Sequence, residues 1–193
     1  VLCAEADYIG PTEAYVRKYP IDVAERIPLA DLAKPYNLTF LYSDFYIKEN
    51  INLVCRMTPK IKNFIFIGDG RQSNQTNDWL IRQELKKNYP EVNYRFLSPQ
   101  QLSANELLDT LYTIDPQTTG ILFSSWIYKR SFAGNTSLVT NFHQLIATAP
   151  VPLFTIGMVT VKDTAGGMLG GYVFDQDQYN RNVVNYLSLV PVS

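Results

Sequence analysis

The sequence predicts an α/β fold with a doubly wound, mostly parallel sheet that carries helices on both faces. Short apolar runs rich in aromatic and β-branched residues alternate with helical patterns, and the units recur about every 30 residues, the length of a βαβ crossover. Parallel pairing and right-handed crossovers are the default for such units. Strands are expected near 64–67, 93–97, 120–123 and 153–156, in the flavodoxin-like order 2-1-3-4.

Each of these strands leads into a predicted helix with its own start or stop signal. The run 64–67 ends in a glycine-rich turn, and a helical pattern follows over 77–89 until a proline stops it. The second helix begins at a capping box in which Ser103 and Glu106 satisfy each other's free amides. The third is predicted over 136–149, where another proline ends it.

The two ends of the chain have a different pattern. A strand is predicted over 38–42 and a short helix over 50–57, while a glycine-dense passage at 166–171 leads into a last helix near Asp175. We expect the two ends to pack against each other, because the aromatic side chains of the last segment would otherwise stay exposed. A homodimer that buries the same surface would serve equally.

Composition excludes several classes of protein. With 46% hydrophobic and 18% charged residues, the chain has a globular composition, and its net charge of −1 without a basic cluster argues against nucleic-acid binding. One histidine and two distant cysteines cannot form a zinc site, and neither a metal nor a cofactor is expected. Cys3 and Cys55 are predicted to be buried thiols, although an oxidising compartment would allow a disulfide.

Several segments resemble ligand-binding domains of the ABC-transporter substrate-binding type, which have the type I periplasmic-binding-protein fold. MTPKIKNFIFI (57–67) is similar to the family's entry into the first strand of its second lobe, and GILFSSW (120–126) to that lobe's third strand. APVPLF (149–154) resembles the family's "S-x-V-P-V-F" strand entry, and GGMLGGYV (166–173) its "G-x-x-G-G-Y-V" return to the first lobe. The resemblance covers about residues 38–187.

This resemblance implies the extracytoplasmic sensor module of a two-component histidine kinase, in the periplasm or outside the cell, within a membrane-anchored protein. Residues 1–57 would be a remnant of the first lobe with a hinge segment, and 58–165 a Rossmann-like ligand-binding lobe. Residues 166–193 would supply the return strand and a C-terminal helix that packs on the remnant. Closure around an unknown small polar ligand would bias the hinge and signal to an attached domain.

The candidate ligand contacts lie in loops that follow the predicted strands, where doubly wound sheets bind ligands. Arg71 is suited to bidentate recognition of a carboxylate or phosphate, and Trp126 to stacking. We expect Arg71, Ser124 and Trp126 to line one concave surface, with a loop of the first lobe closing from the other side. The predicted ligand-binding residues are Asp69, Gly70, Arg71, Gln72, Ser73, Ser124, Ser125, Trp126, Gly157 and Asp44.

Two other functions stay open at this point. A flavodoxin-like enzyme would use 68–73 as a phosphate loop for a flavin or nucleotide, but the Gly-Lys-Ser/Thr ending of a P-loop is absent. A protein-interaction domain with a vestigial cleft is the other. No catalytic residue is predicted, because His143 lies in a predicted helix and no nucleophile elbow occurs, so the chain itself is not expected to be an enzyme.

Overall fold

A series of strands and helices makes up the computed structural model of the chain, which describes residues 2–4, 8–17, 21–36, 40–42, 45–129, 136–137, 146, 148–156 and 168–189. The strands are β1 (Leu2–Ala4), β2 (Tyr8–Ile9), β3 (Ile27–Pro28), β4 (Phe40–Tyr42), β5 (Asn63–Ile67), β6 (Asn93–Leu97), β7 (Thr119–Phe123), β8 (Tyr128–Lys129), β9 (Thr136–Ser137), β10 (Leu153–Thr155) and β11 (Met168–Gly170). The helices are α1 (Thr12–Arg17), α2 (Leu29–Tyr36), α3 (Ile47–Met57), α4 (Gln72–Asn88), α5 (Ala104–Thr113) and α6 (Gln176–Leu189), with a 3-10 turn at Val23–Glu25.

A five-stranded sheet forms the centre of the molecule, with the strand order β6-β5-β7-β10-β11. Every pairing in it is parallel. Strand β5, the first of the sheet in chain order, pairs with β6 on one side and with β7 on the other, along its whole length. The doubly wound α/β fold and the flavodoxin-like strand order predicted from the sequence are therefore confirmed.

Both faces of the sheet are covered by helices, because alternate side chains of each strand point to opposite faces. On one face a buried apolar cluster joins β5 to α3 and α4: Phe64, Phe66, Ile51, Val54 and Ile81. On the other face a second cluster joins β5 and β7 to α5: Ile65, Ile67, Phe123, Leu107 and Leu111. The helix after β5 thus covers one face of the sheet, and the helix after β6 covers the other. From β5 the chain continues to β6 and from β7 to β10, on opposite sides of the sheet, so the connections diverge between β5 and β7.

The helix after β5 begins earlier than the sequence predicts, at Gln72 rather than at Asn77. The polar run at 72–78 shows no apolar periodicity, yet Asn74, Asn77 and Asp78 are all buried. Asn74 is held by hydrogen bonds to groups at the ends of β5 and β7. Tertiary contacts therefore set the start of this helix, and the capping box at Ser103 that begins α5 is present as predicted.

The prediction of the third helix is wrong for its first residues. Thr136 and Ser137 form β9, which pairs antiparallel with β8, whereas a helix was predicted from residue 136. Threonine and serine have low helix propensity, since one is β-branched and the other competes for backbone hydrogen bonds. Of the rest of that segment, Ile146 is helical, while 138–145 and His143 among them lie outside the described residues.

The two ends of the chain meet beside the sheet through hydrogen bonds. Asn50 of α3 accepts from the Tyr172 backbone N–H at 2.8 Å and donates to the Tyr172 carbonyl at 2.8 Å. The Tyr179 hydroxyl donates to the Leu41 carbonyl at 3.0 Å. These bonds link the two ends, but α6 buries no side chain, and Leu187 on it is 51% exposed.

Candidate functional site

A buried carboxylate, Asp69, is the centre of a hydrogen-bond network at the carboxyl ends of β5 and β7. Its side chain is 1% exposed. Oδ1 accepts from the Arg71 backbone N–H at 2.9 Å and from Asn74 Nδ2 at 3.0 Å, and Oδ2 accepts from Ser125 Oγ at 2.7 Å. Arg71 Nε lies 2.9 Å from Oδ1 and 3.1 Å from Oδ2. Protein donors therefore occupy both carboxylate oxygens.

The charge on Asp69 is stabilised in spite of its burial. Desolvation by itself raises the pKa of the carboxyl, but the hydrogen bonds from Arg71 and Ser125 outweigh it and hold the pKa below its ordinary value. Asp69 is thus ionised at neutral pH and forms a buried half of an ion pair with Arg71.

Ser125 joins the loop after β7 to the loop after β5. Its hydroxyl donates to Asp69 and accepts from Arg71 Nη2 at 2.7 Å and from Asn74 Nδ2 at 2.9 Å. A serine hydroxyl offers one donor and two acceptor positions, so these three bonds fill all of them. Such saturation suits a fixed link in the structure and leaves no lone pair for nucleophilic attack.

Arg71 is the member of the network that reaches solvent, since its side chain is 54% exposed. Asp69 holds Nε and Ser125 holds Nη2, which fixes the plane of the guanidinium. Within the described stretches of the chain, Nη1 contacts no acceptor. The ion pair thus presents a preoriented cationic group to solvent at the carboxyl ends of β5 and β7, where the connections diverge and a doubly wound sheet is expected to have its binding crevice.

Three further groups belong to the loops at this edge of the sheet. Gln100 lies against Gly70, so closely that a Cβ built on that glycine would be 2.2 Å from Gln100 Nε2. Ser124 donates its backbone N–H to the Ile67 carbonyl at 2.9 Å, and its half-buried hydroxyl has no partner among the residues that the structure describes. Arg71 also precedes the first residue of α4, whose first turn contains no acidic side chain.

The predicted site is therefore assembled in part. Asp69, Arg71 and Ser125 come together as one network, Gly70 lies within it, and Gln72 and Ser73 form the start of α4. Asp69 acts by holding Arg71, because its oxygens face protein donors and not the crevice. Gly157 and Asp44 lie outside the described residues.

Trp126 does not belong to the crevice, contrary to the prediction. It is 1% exposed and packs in the apolar cluster with Leu107, Leu111 and Ile146. Apolar contact with α5 removes the indole from water, so Arg71, Ser124 and Trp126 do not line one concave surface, and Trp126 does not serve as a stacking platform.

Sequence reasoning missed Asn74 and Gln100 as members of the site. In the sequence Asn74 is conspicuous only as the start of an Asn-x-Thr sequon, and its burial depends on α4 beginning at Gln72. Gln100 follows β6 in a loop without a distinctive motif. Its position was nevertheless informative. The loop after β6 must lie beside the loop after β5, because the carboxyl ends of neighbouring parallel strands share one edge of the sheet.

Comparison with known proteins identifies no relative: the chain matches no family model, no curated protein and no solved structure. The resemblance to sensor domains stays a prediction from the sequence. In the described part of the chain no cluster of three or more metal-ligating side chains occurs, and no helix there has the length and apolar character needed to cross a membrane.

Proposed function

We propose that the chain is a small-ligand-binding module whose ligand contacts Arg71 in the crevice between β5 and β7. The observation that carries the proposal is the anchoring of Arg71 by Asp69. This carboxylate is fully buried, and both of its oxygens accept hydrogen bonds from protein donors. A group held in one geometry before binding loses little conformational entropy on binding. Ligands of doubly wound sheets bind at such a divergence of connections.

The module would serve as the extracytoplasmic sensor of a larger signalling protein, as the sequence resemblance implies. On this proposal a ligand in the crevice brings two lobes together and alters the attached histidine kinase. Supporting this, the segments at Asn50 and Tyr172, which join the sheet to the rest of the chain, are linked to each other by a pair of hydrogen bonds. Motion of one segment would therefore move the other.

A flavin- or nucleotide-binding enzyme is the second candidate, and two observations favour it. The strand order 2-1-3-4-5 is the flavodoxin-like order, and the helix after the first strand of the sheet has no acid in its first turn. A flavin protein is yellow as purified, so a visible absorbance spectrum separates the two candidates.

The ligand-binding proposal is tested by thermal-shift screening of small polar compounds against the wild type and Arg71→Ala. We expect a compound that raises Tm in the wild type and binds the variant about 10- to 100-fold more weakly, because a hydrogen bond to a charged group contributes about 1.5–3 kcal/mol. Arg95→Ala is the matched control, since Arg95 is an exposed arginine of β6 outside the crevice. Hits that bind Arg71→Ala with unchanged affinity would contradict the proposal.

A further inference from the structure

We infer that the ligand carries a carboxylate, which the terminal edge of the Arg71 guanidinium binds through Nη1 and Nη2. This inference rests on the proposed function and specifies the chemical class of the ligand. Two observations support it: one edge of the guanidinium is already hydrogen-bonded to the protein, and the charges nearby favour an anion of single charge.

A guanidinium has two edges that can each hold a pair of oxygens. The lateral edge consists of Nε and Nη2, and the terminal edge of Nη1 and the second N–H of Nη2. In this chain the lateral edge is taken: Nε donates to Asp69 at 2.9 Å and Nη2 to Ser125 at 2.7 Å. The terminal edge remains, with two parallel N–H groups whose spacing matches the two oxygens of a carboxylate.

Charge also favours an anion, although the Asp69–Arg71 pair is neutral as a whole. Asp69 is 1% exposed and directs its oxygens at protein donors, whereas the Arg71 side chain is 54% exposed. A ligand in the crevice therefore meets the cation and not its counter-ion. The N-terminus of α4, directly after Arg71, adds a partial positive charge.

The same charges favour a carboxylate over a phosphate. The loops 68–73, 98–103 and 124–127 contain Asp69 and Arg71 as their only charged residues. With one cation already paired, these loops offer no second cationic side chain to balance the second charge of a phosphate dianion. A carboxylate brings one charge, and Gln100 and Ser124 are neutral polar groups suited to contacting the remainder of the ligand.

The experiment compares each acid with its own primary amide on the wild-type protein, so it does not depend on whether a variant folds. Common amino acids, pyruvate and lactate are screened by thermal shift beside their amides, with inorganic phosphate as a separate arm, and hits are titrated by calorimetry. We expect an acid to bind and its amide to bind at least about 10-fold more weakly, since the amide loses the charge and one acceptor oxygen.

Two variants connect the result to Arg71. Arg71→Lys keeps the charge but loses the paired donors, so the acid should bind it about 10-fold more weakly. In Asp69→Asn/Arg71→Gln no buried charge is left without a partner, and the acid should bind it about 100-fold more weakly.

The outcomes separate this inference from the proposed function. An acid and amide that bind within about twofold of each other, both weakened by Arg71→Lys, would overturn the carboxylate and leave the binding crevice intact. Phosphate as the sole Arg71-dependent binder would also overturn it. Binding that is the same in the wild type and both variants would overturn the proposed function itself.

Discussion

Asp69 shows how a single residue can be both buried and charged at low cost. Several donors surround its two oxygens, and the exposed guanidinium of Arg71 carries the opposite charge. A buried carboxylate without such partners would become protonated instead. The residue therefore contributes stability that depends on pH, in a direction fixed by its lowered pKa.

Asp69→Asn should reduce the free energy of unfolding at pH 7 by about 1.5–3 kcal/mol, because charged hydrogen bonds become neutral ones. The folded-state pKa lies below the ordinary value of 3.8, so the stabilisation is present above that pH and is lost as pH falls through the folded-state pKa. Urea unfolding from pH 7 downward should show the wild type and the variant converging in the acid range. The control is Asp109→Asn, an exposed aspartate of α5, and a difference independent of pH would contradict the prediction.

Topology alone brings some of the predicted site residues together, while their contact with a ligand stays a prediction. Asp69, Arg71 and Ser125 follow two strands that had to be neighbours, so their meeting could be expected. Trp126 could not be placed in the same way, because the backbone direction after β7 decides whether the indole enters the core or the crevice. Asn74 was missed because its direction depends on where α4 begins.

At the scale of elements, the parallel strands were predictable because strands buried on both faces have continuous apolar sequences. The contact of α3 with β7 was not predictable in this way, because it depends on a glycine. Gly120 is buried, and a Cβ built on it would lie 2.3 Å from Val54 Cγ1 and 2.9 Å from Ile61 Cδ1. The absence of a side chain on β7 thus allows α3 to approach the sheet closely.

Gly120→Ala should therefore destabilise the fold by about 1–3 kcal/mol through overpacking. Val54→Ala removes the methyl groups that the new Cβ would meet. The loss of unfolding free energy in the double variant should therefore be smaller than the sum of the two single losses, by about 0.5–3 kcal/mol. Chemical denaturation of all four proteins measures this coupling. Leu53→Ala, on the same helix, should combine additively with Gly120→Ala; additivity for Val54→Ala as well would refute the close contact.

At the scale of the whole molecule, polar and aromatic contacts connect the N-terminal part of the chain to the sheet. The Arg26 guanidinium lies 4.3 Å from the ring centre of Tyr8 and 5.0 Å from that of Trp79 on α4. Asn50, fully buried in α3, joins the segment after β11. At that joint Gly171 leaves no room for a side chain, because a Cβ would lie 2.2 Å from the Thr155 carbonyl oxygen.

Asn50→Ala should loosen this joint in a way that hydrogen exchange can locate. The variant leaves the N–H and carbonyl of Tyr172 without their partner, which should cost about 1–3 kcal/mol of unfolding free energy. Amide exchange should therefore accelerate most in 168–172 and at the start of α3, while β5 stays protected up to global unfolding.

The conservative variant Asn50→Asp separates the roles of the two amide atoms. It keeps the acceptor for the Tyr172 N–H but turns a second oxygen toward the Tyr172 carbonyl, so it should accelerate exchange in 168–172 as well. Asn105→Ala, at an exposed position of α5, should leave exchange unchanged. Uniform acceleration over the whole sheet in Asn50→Ala would mean that Asn50 stabilises the fold globally, and the joint would then not be the separate unit that the proposed signalling requires.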